Sequence, residues 1–379
     1  MNDTVVIVGA GLAGARCAEA LRTGGHEGRV LLVGAEHAPP YERPALSKEF
    51  LAGTRTAESL LLRPVAFWRE QEIELVTGVT VTHVDARSRV AVTADGRIIP
   101  WASLVLATGA QARTLPDLPR GVYALRTLMD AIALKWKLQP GRHLAVVGAG
   151  FIGGEVATSA TSLGVDVTVI EAAEVPLERV LGREIGMLIA ERYREQGDEL
   201  RLGARLDSFR RGPGDRLRGV LLADGTEIAC DAALLGIGAE PIPPTGAPGV
   251  AGGIPTDACG RTSLPGVYAC GDVASTFRPA LDRRIRVEHW TSAAGQGAAV
   301  AAAILGREEP HDDPPFFWSD QLGLRLQYVG HGEGWTRIEL DGDPASFRVR
   351  YLGDDARLVA ALLANRPREA AALRRELAA

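Results

Sequence analysis

Two glycine-rich segments carry the first recognisable chemistry of this sequence. Residues 5–14 are VVIVGAGLAG and residues 144–153 are LAVVGAGFIG, so the same pattern occurs twice. In Gly-x-Gly-x-x-Gly between a strand and a helix, the first glycine makes the turn, the second lets the backbone approach a pyrophosphate, and the third lets helix and strand pack closely. Free N–H groups at the helix start then bind the phosphates. The sequence therefore predicts two dinucleotide sites, built on Gly9, Gly11 and Gly14 and on Gly148, Gly150 and Gly153.

An acidic residue follows the second strand of each unit. Glu171 comes directly after the strand predicted over 166–170, where a carboxylate binds the adenosine ribose of NADH and repels the 2′-phosphate of NADPH. Residues 172–177 contain no Arg or Lys, so the sequence predicts a preference for NADH. Glu36 follows the strand predicted over 29–33, and we expect it to bind the ribose of FAD in the same way.

A third acidic candidate is Asp272, at the end of the short strand predicted over 266–272. Ligands of open α/β sheets bind at the carboxyl ends of strands, so Asp272 is predicted to accept a hydrogen bond from the ribityl hydroxyls of FAD. An Ala-rich helix is predicted from about Thr291. Its first N–H groups would stabilise negative charge on a reduced flavin.

The elements that must position these residues are apolar strands of the kind buried on both faces, each followed by an Ala- and Leu-rich helix. Segments 73–76, 79–84 and 89–92, around an Asp-Gly turn at 95–96, predict short antiparallel strands. Two further apolar strands end at Gly109 and Gly238 and mark crossings between domains. From about Pro310 the chain alternates strands and aromatic residues, which predicts a small α+β domain.

Composition excludes several classes of protein. The 379 residues allow two or three domains, and a net charge of −5 argues against a nucleic-acid partner. The longest apolar segment, 298–305, is too short to cross a membrane, and no signal sequence is recognised, so we expect a cytoplasmic protein without a membrane partner. The cysteines at 17, 230, 259 and 270 lack metal-site spacing, which predicts reduced, mostly buried thiols and no metal site.

The order of these motifs resembles the FAD-dependent pyridine nucleotide oxidoreductases. Four further segments resemble their ferredoxin reductase branch, the putidaredoxin and rubredoxin reductases: PYERPALSK at 40–48, LRT at 125–127, EHW at 288–290 and FWSDQ at 317–321. The resemblance covers essentially the whole chain. It implies an α/β fold with two Rossmann-like dinucleotide-binding domains, of the glutathione reductase-like three-layer ββα type, plus a small C-terminal α+β domain. The expected boundaries are 1–111 and 237–309 for the FAD-binding domain, 112–236 for the NAD-binding domain and 310–379 for the C-terminal domain.

The resemblance also implies further site residues. Contacts to FAD carry over to Ala13, Arg43, Lys48, Val81, Thr108, Gly109, Arg126, Gly271, Asp272 and Trp290, and contacts to NAD to Phe151, Ile152, Glu155 and Gly238. Lys48 would tune the flavin beside its N5 atom, and Glu155 would position Lys48, so these two are the expected catalytic residues. The sequence departs from the family at Ala35, where an acidic residue is common, and at Gly154, where Leu is usual.

The first unit and its helix contain only Cys17, which disfavours a disulfide reductase. The expected reaction is hydride transfer from NADH to FAD, followed by single-electron transfer to a [2Fe–2S] ferredoxin that serves a cytochrome P450 or another oxygenase. Arg283, Arg284 and Arg286 are a candidate patch for an acidic ferredoxin, or an ordinary solvated face. Two alternatives stay open: an NADH oxidase or peroxidase, and a flavoprotein whose redox state controls binding to another protein.

Overall fold

The computed structural model describes residues 3–249 and 252–378, which fold around three five-stranded sheets. The elements up to the first crossing are β1 (Val5–Val8), α1 (Leu12–Thr23), β2 (Val30–Val33), α2 (Val65–Glu70), β3 (Ile73–Val76), β4 (Val81–Asp85), β5 (Val90–Thr93), β6 (Ile98–Pro100), β7 (Ser103–Leu106) and β8 (Ala110–Ala112). A π-helical turn, Leu46–Phe50, lies in the long connection between β2 and α2.

The second stretch contains β9 (Val122–Tyr123), α3 (Leu128–Lys135), β10 (His143–Val147), α4 (Phe151–Ser162), β11 (Asp166–Ile170), α5 (Glu178–Leu181), α6 (Arg183–Gln196), β12 (Glu199–Arg201), β13 (Leu206–Gly212), β14 (Arg216–Leu222), β15 (Glu227–Ala229) and β16 (Ala232–Leu235). The chain then returns through β17 (Ala239–Pro241), β18 (Ile254–Thr256), β19 (Val267–Ala269), β20 (Ala274–Arg278), β21 (Arg283–Ile285) and α7 (Trp290–Ile304). The last elements are β22 (Phe316–Gln321), β23 (Leu324–Gly330), β24 (Arg337–Asp343), β25 (Ser346–Leu352), β26 (Leu358–Ala364) and α8 (Ala370–Ala378).

The first sheet is parallel, in the order β19-β7-β1-β2-β3. Its central strand β1 is fully buried, because α1 and α7 cover one face and the antiparallel sheet β4-β5-β6 covers the other. The prediction of antiparallel pairing was right for β4 and β5 but wrong for β3, which pairs parallel to β2. The short helix α2 supplies the crossover that parallel pairing needs, and residues 73–76 alone do not reveal the direction of pairing.

The second sheet repeats this plan in the order β12-β11-β10-β16-β9, also parallel. The antiparallel sheet β13-β14-β15 packs on one face of it. Strands β8 and β17 pair with each other where the chain leaves the first sheet and where it returns. The two parallel sheets confirm the predicted three-layer fold, whereas the domain boundaries at 111, 236 and 309 stay a prediction.

The third sheet is antiparallel, in the order β22-β23-β26-β25-β24, with α8 packed on it. It shares one apolar core with the second sheet and with the π-helical turn, since Leu46, Val146 and Leu326 belong to the same buried cluster. A buried side chain of this size contributes about 1.5–3 kcal/mol of free energy of unfolding, so this core stabilises the junction of the three parts. Within the described residues, no helix has both the length and the apolar surface to cross a membrane; the longest, α7, has 15 residues.

Candidate active site

The first glycine turn has no room for side chains at its first and third glycines. Gly9 has φ +116°, and a Cβ there would overlap the carbonyl group of Ala107. A Cβ on Gly14 would overlap the carbonyl oxygen of Gly9, so α1 could not pack this closely on β1 with any other residue there. Around Gly11 the position of a Cβ has no neighbouring atom within 4 Å, which means that the second glycine faces open space.

The second glycine turn repeats this geometry. Gly148 has φ +104°, and its Cβ would lie 2.5 Å from the carbonyl oxygen of Gly236 at the end of the neighbouring strand β16. A Cβ on Gly153 would overlap the carbonyl oxygen of Gly148, and the space beside Gly150 is open. The chain therefore contains two glycine turns of the same kind. In each, the first and third glycines lie against backbone atoms and the second faces open space.

Both turns lead into a helix whose first N–H groups are free for an anion. Gly11 and Gly150 cap α1 and α4 without any side-chain hydrogen bond, and the first turn of each helix contains no acidic residue. Beside the first turn, the hydroxyl of Thr108 is buried and has no hydrogen-bond partner among the described residues. Uncapped N–H groups, open space at the second glycine and an unpaired hydroxyl fit the diphosphate of a dinucleotide, so the residues present fit FAD and NADH.

Glu36, which follows β2, lies in a cluster with Tyr41 and Arg43. The Oε1 atom of Glu36 is 2.5 Å from Nη2 of Arg43, and the Tyr41 hydroxyl donates to Oε2 at 2.7 Å. Burial raises the pKa of Tyr41, so the phenol stays protonated and acts as the donor. Arg43 also donates to the carbonyl oxygen of Arg126 at 2.7 Å. The cluster orients the Glu36 carboxylate at the strand end, and its contact with the FAD ribose stays a prediction.

Arg126 and Asp272 form an ion pair with both side chains mostly buried. Gly109 lies beside this pair, since a Cβ on it would be 3.8 Å from Nη2 of Arg126. The positive φ of +73° at Gly109 allows the chain to turn there after β7. Predicted residues from three distant segments thus meet at the carboxyl end of the first parallel sheet.

Gly271, next to Asp272, connects this edge to α1 and α7. Its N–H donates to the buried Oε1 of Gln296 at 2.7 Å, and a Cβ on it would lie 2.9 Å from the Cβ of Ala13. Trp290 is the first residue of α7, as the sequence predicted to within one residue. The helix start has no side-chain cap, so its N–H groups are free to face a ligand at this edge.

Glu171 lies at the carboxyl end of β11 and folds back over the second glycine turn. Its Oε2 accepts the N–H of Ala149 at 2.7 Å, and its Oε1 accepts the N–H of Ala173 at 2.8 Å. The carboxylate is therefore held by two backbone donors beside the turn that contains Gly148 and Gly150. Gly238, with φ +99°, follows β16 on the other side of β10.

The first two residues of α4 lie at the entrance of the second turn. Phe151 contacts Phe317 of β22 edge to face, with 4.7 Å between ring centroids. Ile152 is 45% exposed, more than is usual for its type. Their contacts to NAD stay predictions.

Lys48 and Glu155 form the buried ion pair that the sequence predicted. Nζ of Lys48, in the π-helical turn, lies 3.0 Å from Oε2 of Glu155 on α4, and the two side chains are only 10% and 4% exposed. Ser47 donates to the same Oε2, and Ser319 of β22 donates to Oε1 at 2.6 Å. A buried ion pair is tolerated only when such hydrogen bonds satisfy its remaining lone pairs. All three parts of the chain meet at this carboxylate.

His289 precedes α7 and packs on Phe317, with 4.7 Å between ring centroids. Burial lowers the pKa of His289 to about 4, so the ring is neutral at neutral pH. The imidazole therefore adds no positive charge at this helix start at neutral pH.

The basic cluster of the sequence is partly neutralised in the structure. Arg283 lies 3.2 Å from Glu333, and Arg286 lies 2.7 Å from Glu288. Arg284 is exposed and lies over the ring of Phe277. This arrangement supports the alternative of a solvated face over that of a dedicated patch.

Val81 is buried in the core between β4 and the first sheet, and its contact with FAD stays a prediction. Sequence reasoning missed Tyr41, Ser47 and Ser319 as members of the site. All three lie inside the segments PYERPALSK and FWSDQ that carried the resemblance. For Ser47 the available signal was a polar side chain next to the predicted site residue Lys48.

All four cysteines lie in the described part of the chain, and all are free and buried. Burial raises the pKa of Cys230 and of Cys270 to about 12, and it raises the pKa of Cys17 and of Cys259. A thiol becomes a nucleophile only as a thiolate, so none of these cysteines has the character of a redox-active residue. The prediction that these thiols are mostly buried and not joined in disulfides is confirmed.

Two dinucleotide-binding folds in one chain, with a buried Lys–Glu pair at their junction, define a flavin- and pyridine-nucleotide-dependent oxidoreductase. The chain belongs to the pyridine nucleotide-disulphide oxidoreductase family, whose model matches residues 3–297. A reductase C-terminal model matches residues 316–379.

Relatives of known function cover nearly all of the chain. A ferredoxin–NAD(P)(+) reductase of Sphingomonas is 40% identical over 375 residues, which is 95% of this chain and 90% of the relative. The ferredoxin–NAD(+) reductase component of an anthranilate 1,2-dioxygenase system from Burkholderia cepacia is 37% identical over 100% of this chain and 94% of the relative. Among solved structures, the reductase in a covalent putidaredoxin reductase–putidaredoxin complex superposes with a TM-score of 0.93, at 34% identity, over 99% of this chain and 93% of that chain. These findings confirm the predicted resemblance to the ferredoxin reductase branch.

Proposed function

We propose that this protein is an NADH-dependent ferredoxin reductase that supplies electrons to a cytochrome P450 or another oxygenase. The observation that carries the proposal is the duplicated glycine turn, open at Gly11 and at Gly150, in a chain whose thiols are all buried. One turn holds FAD and the other holds NADH. Electrons that cannot pass to a cysteine pair must leave through an external acceptor, and relatives of this chain are named for ferredoxin and dioxygenase systems.

When bound, FAD supplies the redox chemistry, because it takes a hydride from NADH and releases the electrons one at a time. The task of the protein is to position the two rings and to shape the electrostatics around them. In this proposal Lys48 places an ammonium group beside the flavin, and Glu155 holds that group in place at 3.0 Å. The free N–H groups at the start of α7 would stabilise negative charge on the reduced flavin.

The remaining predicted residues hold the two dinucleotides along the carboxyl ends of the parallel strands. Part of the FAD set is linked by direct approaches: Gly9 lies against Thr108, Gly109 lies beside Arg126, Arg126 pairs with Asp272, and Gly271 lies against Ala13. We assign the FAD-binding domain to 1–111 and 237–309, the NAD-binding domain to 112–236 and the C-terminal domain to 310–379.

Glu171 sets the choice of NADH over NADPH. Its carboxylate is fixed by two N–H groups beside the second glycine turn, where it accepts the ribose hydroxyls and repels a 2′-phosphate. Arg183, the first residue of α6, is ion-paired with Glu174 at the surface, and both side chains are at least 60% exposed.

The two alternative functions are not favoured. An oxidase or peroxidase of this kind usually uses an activated thiol near the flavin, and burial raises the pKa of each cysteine here. The named relatives are ferredoxin reductases rather than redox-controlled binding proteins. We place the protein in the cytoplasm, in agreement with its use of NADH and with its reduced thiols.

An anaerobic titration tests the proposal. The purified holoenzyme is titrated with NADH and, separately, with NADPH, and the bleaching of the flavin absorbance is recorded. A [2Fe–2S] ferredoxin and cytochrome c are then added. We expect bleaching at lower concentrations of NADH than of NADPH, and cytochrome c reduction that depends on ferredoxin. Bleaching by NADH without electron transfer to any ferredoxin would contradict the proposal.

A further inference from the structure

Strand β22 lies along α4 with its inward side chains in step with the turns of the helix. Phe317 contacts Phe151 at the first residue of α4, and Ser319 donates to Glu155 one helical turn further on. Two strand residues advance about 6.6 Å and four helix residues about 6 Å, so alternate residues of the strand meet successive turns. The C-terminal sheet therefore presents a side chain at the buried carboxylate and does not merely cover it.

A hydrogen bond just after the end of β22 fixes the alignment of this strand with α4. The backbone N–H of Leu322 donates to Oγ1 of Thr158, one turn beyond Glu155, at 2.9 Å. Leu322 has φ +54° and is 4% exposed, so the hairpin between β22 and β23 holds a left-handed residue against α4. A left-handed leucine persists only where the surrounding contacts enforce it.

The glycine at position 154 makes room for a donor to Ser319. A Cβ on Gly154 would overlap Oε1 of Gln321 and would lie 3.0 Å from the hydroxyl of Tyr193. Nε2 of Gln321 donates to Oγ of Ser319 at 2.8 Å. Gln321 is 2% exposed, so its amide lies fully inside the junction. The absence of a side chain on α4 at this position therefore permits the bond between Gln321 and Ser319.

We propose that Ser319, oriented by Gln321 across Gly154, is a positioning residue for the pair of Glu155 and Lys48. Nε2 of Gln321 donates a hydrogen bond to Oγ of Ser319, and the Ser319 hydroxyl donates its only hydrogen bond to Oε1 of Glu155. The inference deepens the proposed function and rests on its placement of Lys48 beside the flavin. It gives the C-terminal domain a part in hydride transfer, separate from any part in docking a ferredoxin.

Removal of the Ser319 hydroxyl has a defined chemical consequence. The Oε1 atom of Glu155, in a side chain that is 4% exposed, would lose its donor and would be left unpaired. A buried carboxylate that loses a donor is less firmly oriented, so Glu155 would hold the Lys48 ammonium less precisely. Hydride transfer should then be slower at saturating NADH.

The test uses the holoenzyme with Ser319→Ala, and with Asp320→Asn as the matched control on the opposite face of β22. Flavin reduction by NADH is followed by anaerobic stopped-flow at a series of NADH concentrations, which separates the limiting rate from the dissociation constant. We expect Ser319→Ala to reduce the limiting rate about tenfold, a change that corresponds to about 1.4 kcal/mol in the barrier, and to change the dissociation constant of NADH much less. The control should follow the wild type.

A second pair of variants tests the route through Gly154. Gly154→Ala should slow flavin reduction, because the new Cβ displaces the amide of Gln321. The double variant Gly154→Ala with Gln321→Ala removes the overlap with Gln321, leaves only the 3.0 Å approach to the Tyr193 hydroxyl, and should be close in rate to Gln321→Ala alone. Flavin content and thermal unfolding of each variant are measured alongside, to identify any that fails to fold.

Two results would overturn the inference. One is a Ser319→Ala enzyme that takes hydride at the wild-type limiting rate. The other is a double variant that is clearly slower than Gln321→Ala alone, because the effect of Gly154→Ala would then not act through the amide of Gln321. Electron transfer from dithionite-reduced wild-type enzyme to ferredoxin is measured separately; failure of that step would contradict the proposed function and not this inference.

Discussion

Replacing Glu171 by Gln is the sharpest test of how this protein binds its reductant. The carboxylate accepts two backbone N–H groups, from Ala149 at 2.7 Å and from Ala173 at 2.8 Å, and in our proposal it also accepts the ribose hydroxyls of NADH. A Gln side chain has the same shape but one acceptor oxygen and no charge. It therefore cannot accept hydrogen bonds from both N–H groups and also from the ribose hydroxyls.

The expected loss is that of a hydrogen bond to a charged group, about 1.5–3 kcal/mol. This range raises the dissociation constant of NADH about tenfold to about a hundredfold. The affinity for NADPH should fall less than the affinity for NADH, or should even rise, because the repulsion between the 2′-phosphate and the carboxylate is removed. The ratio of the two dissociation constants should therefore move towards one.

The assay is anaerobic stopped-flow reduction of the bound flavin at a series of NADH and NADPH concentrations, which separates the dissociation constant from the limiting rate. Glu174→Gln is the matched control, since Glu174 is 68% exposed and pairs with Arg183 at the surface. A Glu171→Gln enzyme with an unchanged dissociation constant for NADH, or an equal shift in the control, would refute this account of Glu171.

Two further expectations concern acid and the first glycine turn. Burial lowers the pKa of His289 and of His311 to about 4, so the unfolded chain binds more protons than the folded one below about pH 6.5. The free energy of unfolding should therefore fall as the pH drops from about 6.5 to about 4, by up to about 3 kcal/mol for each histidine, and urea unfolding of His311→Asn should show a shallower fall than that of the wild type. In the glycine turn, Gly14→Ala should lower both the apoprotein melting temperature and the flavin content, because its Cβ overlaps the backbone of Gly9. Gly11→Ala, whose Cβ enters open space, should lower FAD affinity in equilibrium dialysis with little change in the apoprotein melting temperature; equal effects of the two substitutions on melting would contradict the geometry.

Residues close together in the chain were the most predictable part of the site. The glycine turns, the strands before them and the position of Glu171 depend on contacts over a few residues, because a strand, a tight turn and a helix start follow from local spacing. The start of α7 at Trp290 was found in the same way. Lys48 and Glu155 were paired through the resemblance, and the structure places them 3.0 Å apart.

Other features depend on partners far away in the sequence. Strand β3 was expected to be antiparallel, and its parallel pairing follows from the crossover through α2. Arg283 was a candidate for a free basic patch, and its partner Glu333 lies in another part of the chain. The local sequence predicts neither the parallel pairing of β3 with β2 nor the ion pair of Arg283 with Glu333. Pairing direction and ion pairs between distant segments are set when the elements pack together.

The sequence by itself therefore determined that two dinucleotide turns exist, which acidic residues follow them and which family the chain resembles. Only the tertiary structure decided that Ser319 meets Glu155 across 164 residues, and that Gly154 leaves space for Gln321 beside them. The physical reason is that a glycine turn is a local backbone conformation, whereas a buried carboxylate is satisfied by whichever donors the packing of three sheets brings within hydrogen-bond distance.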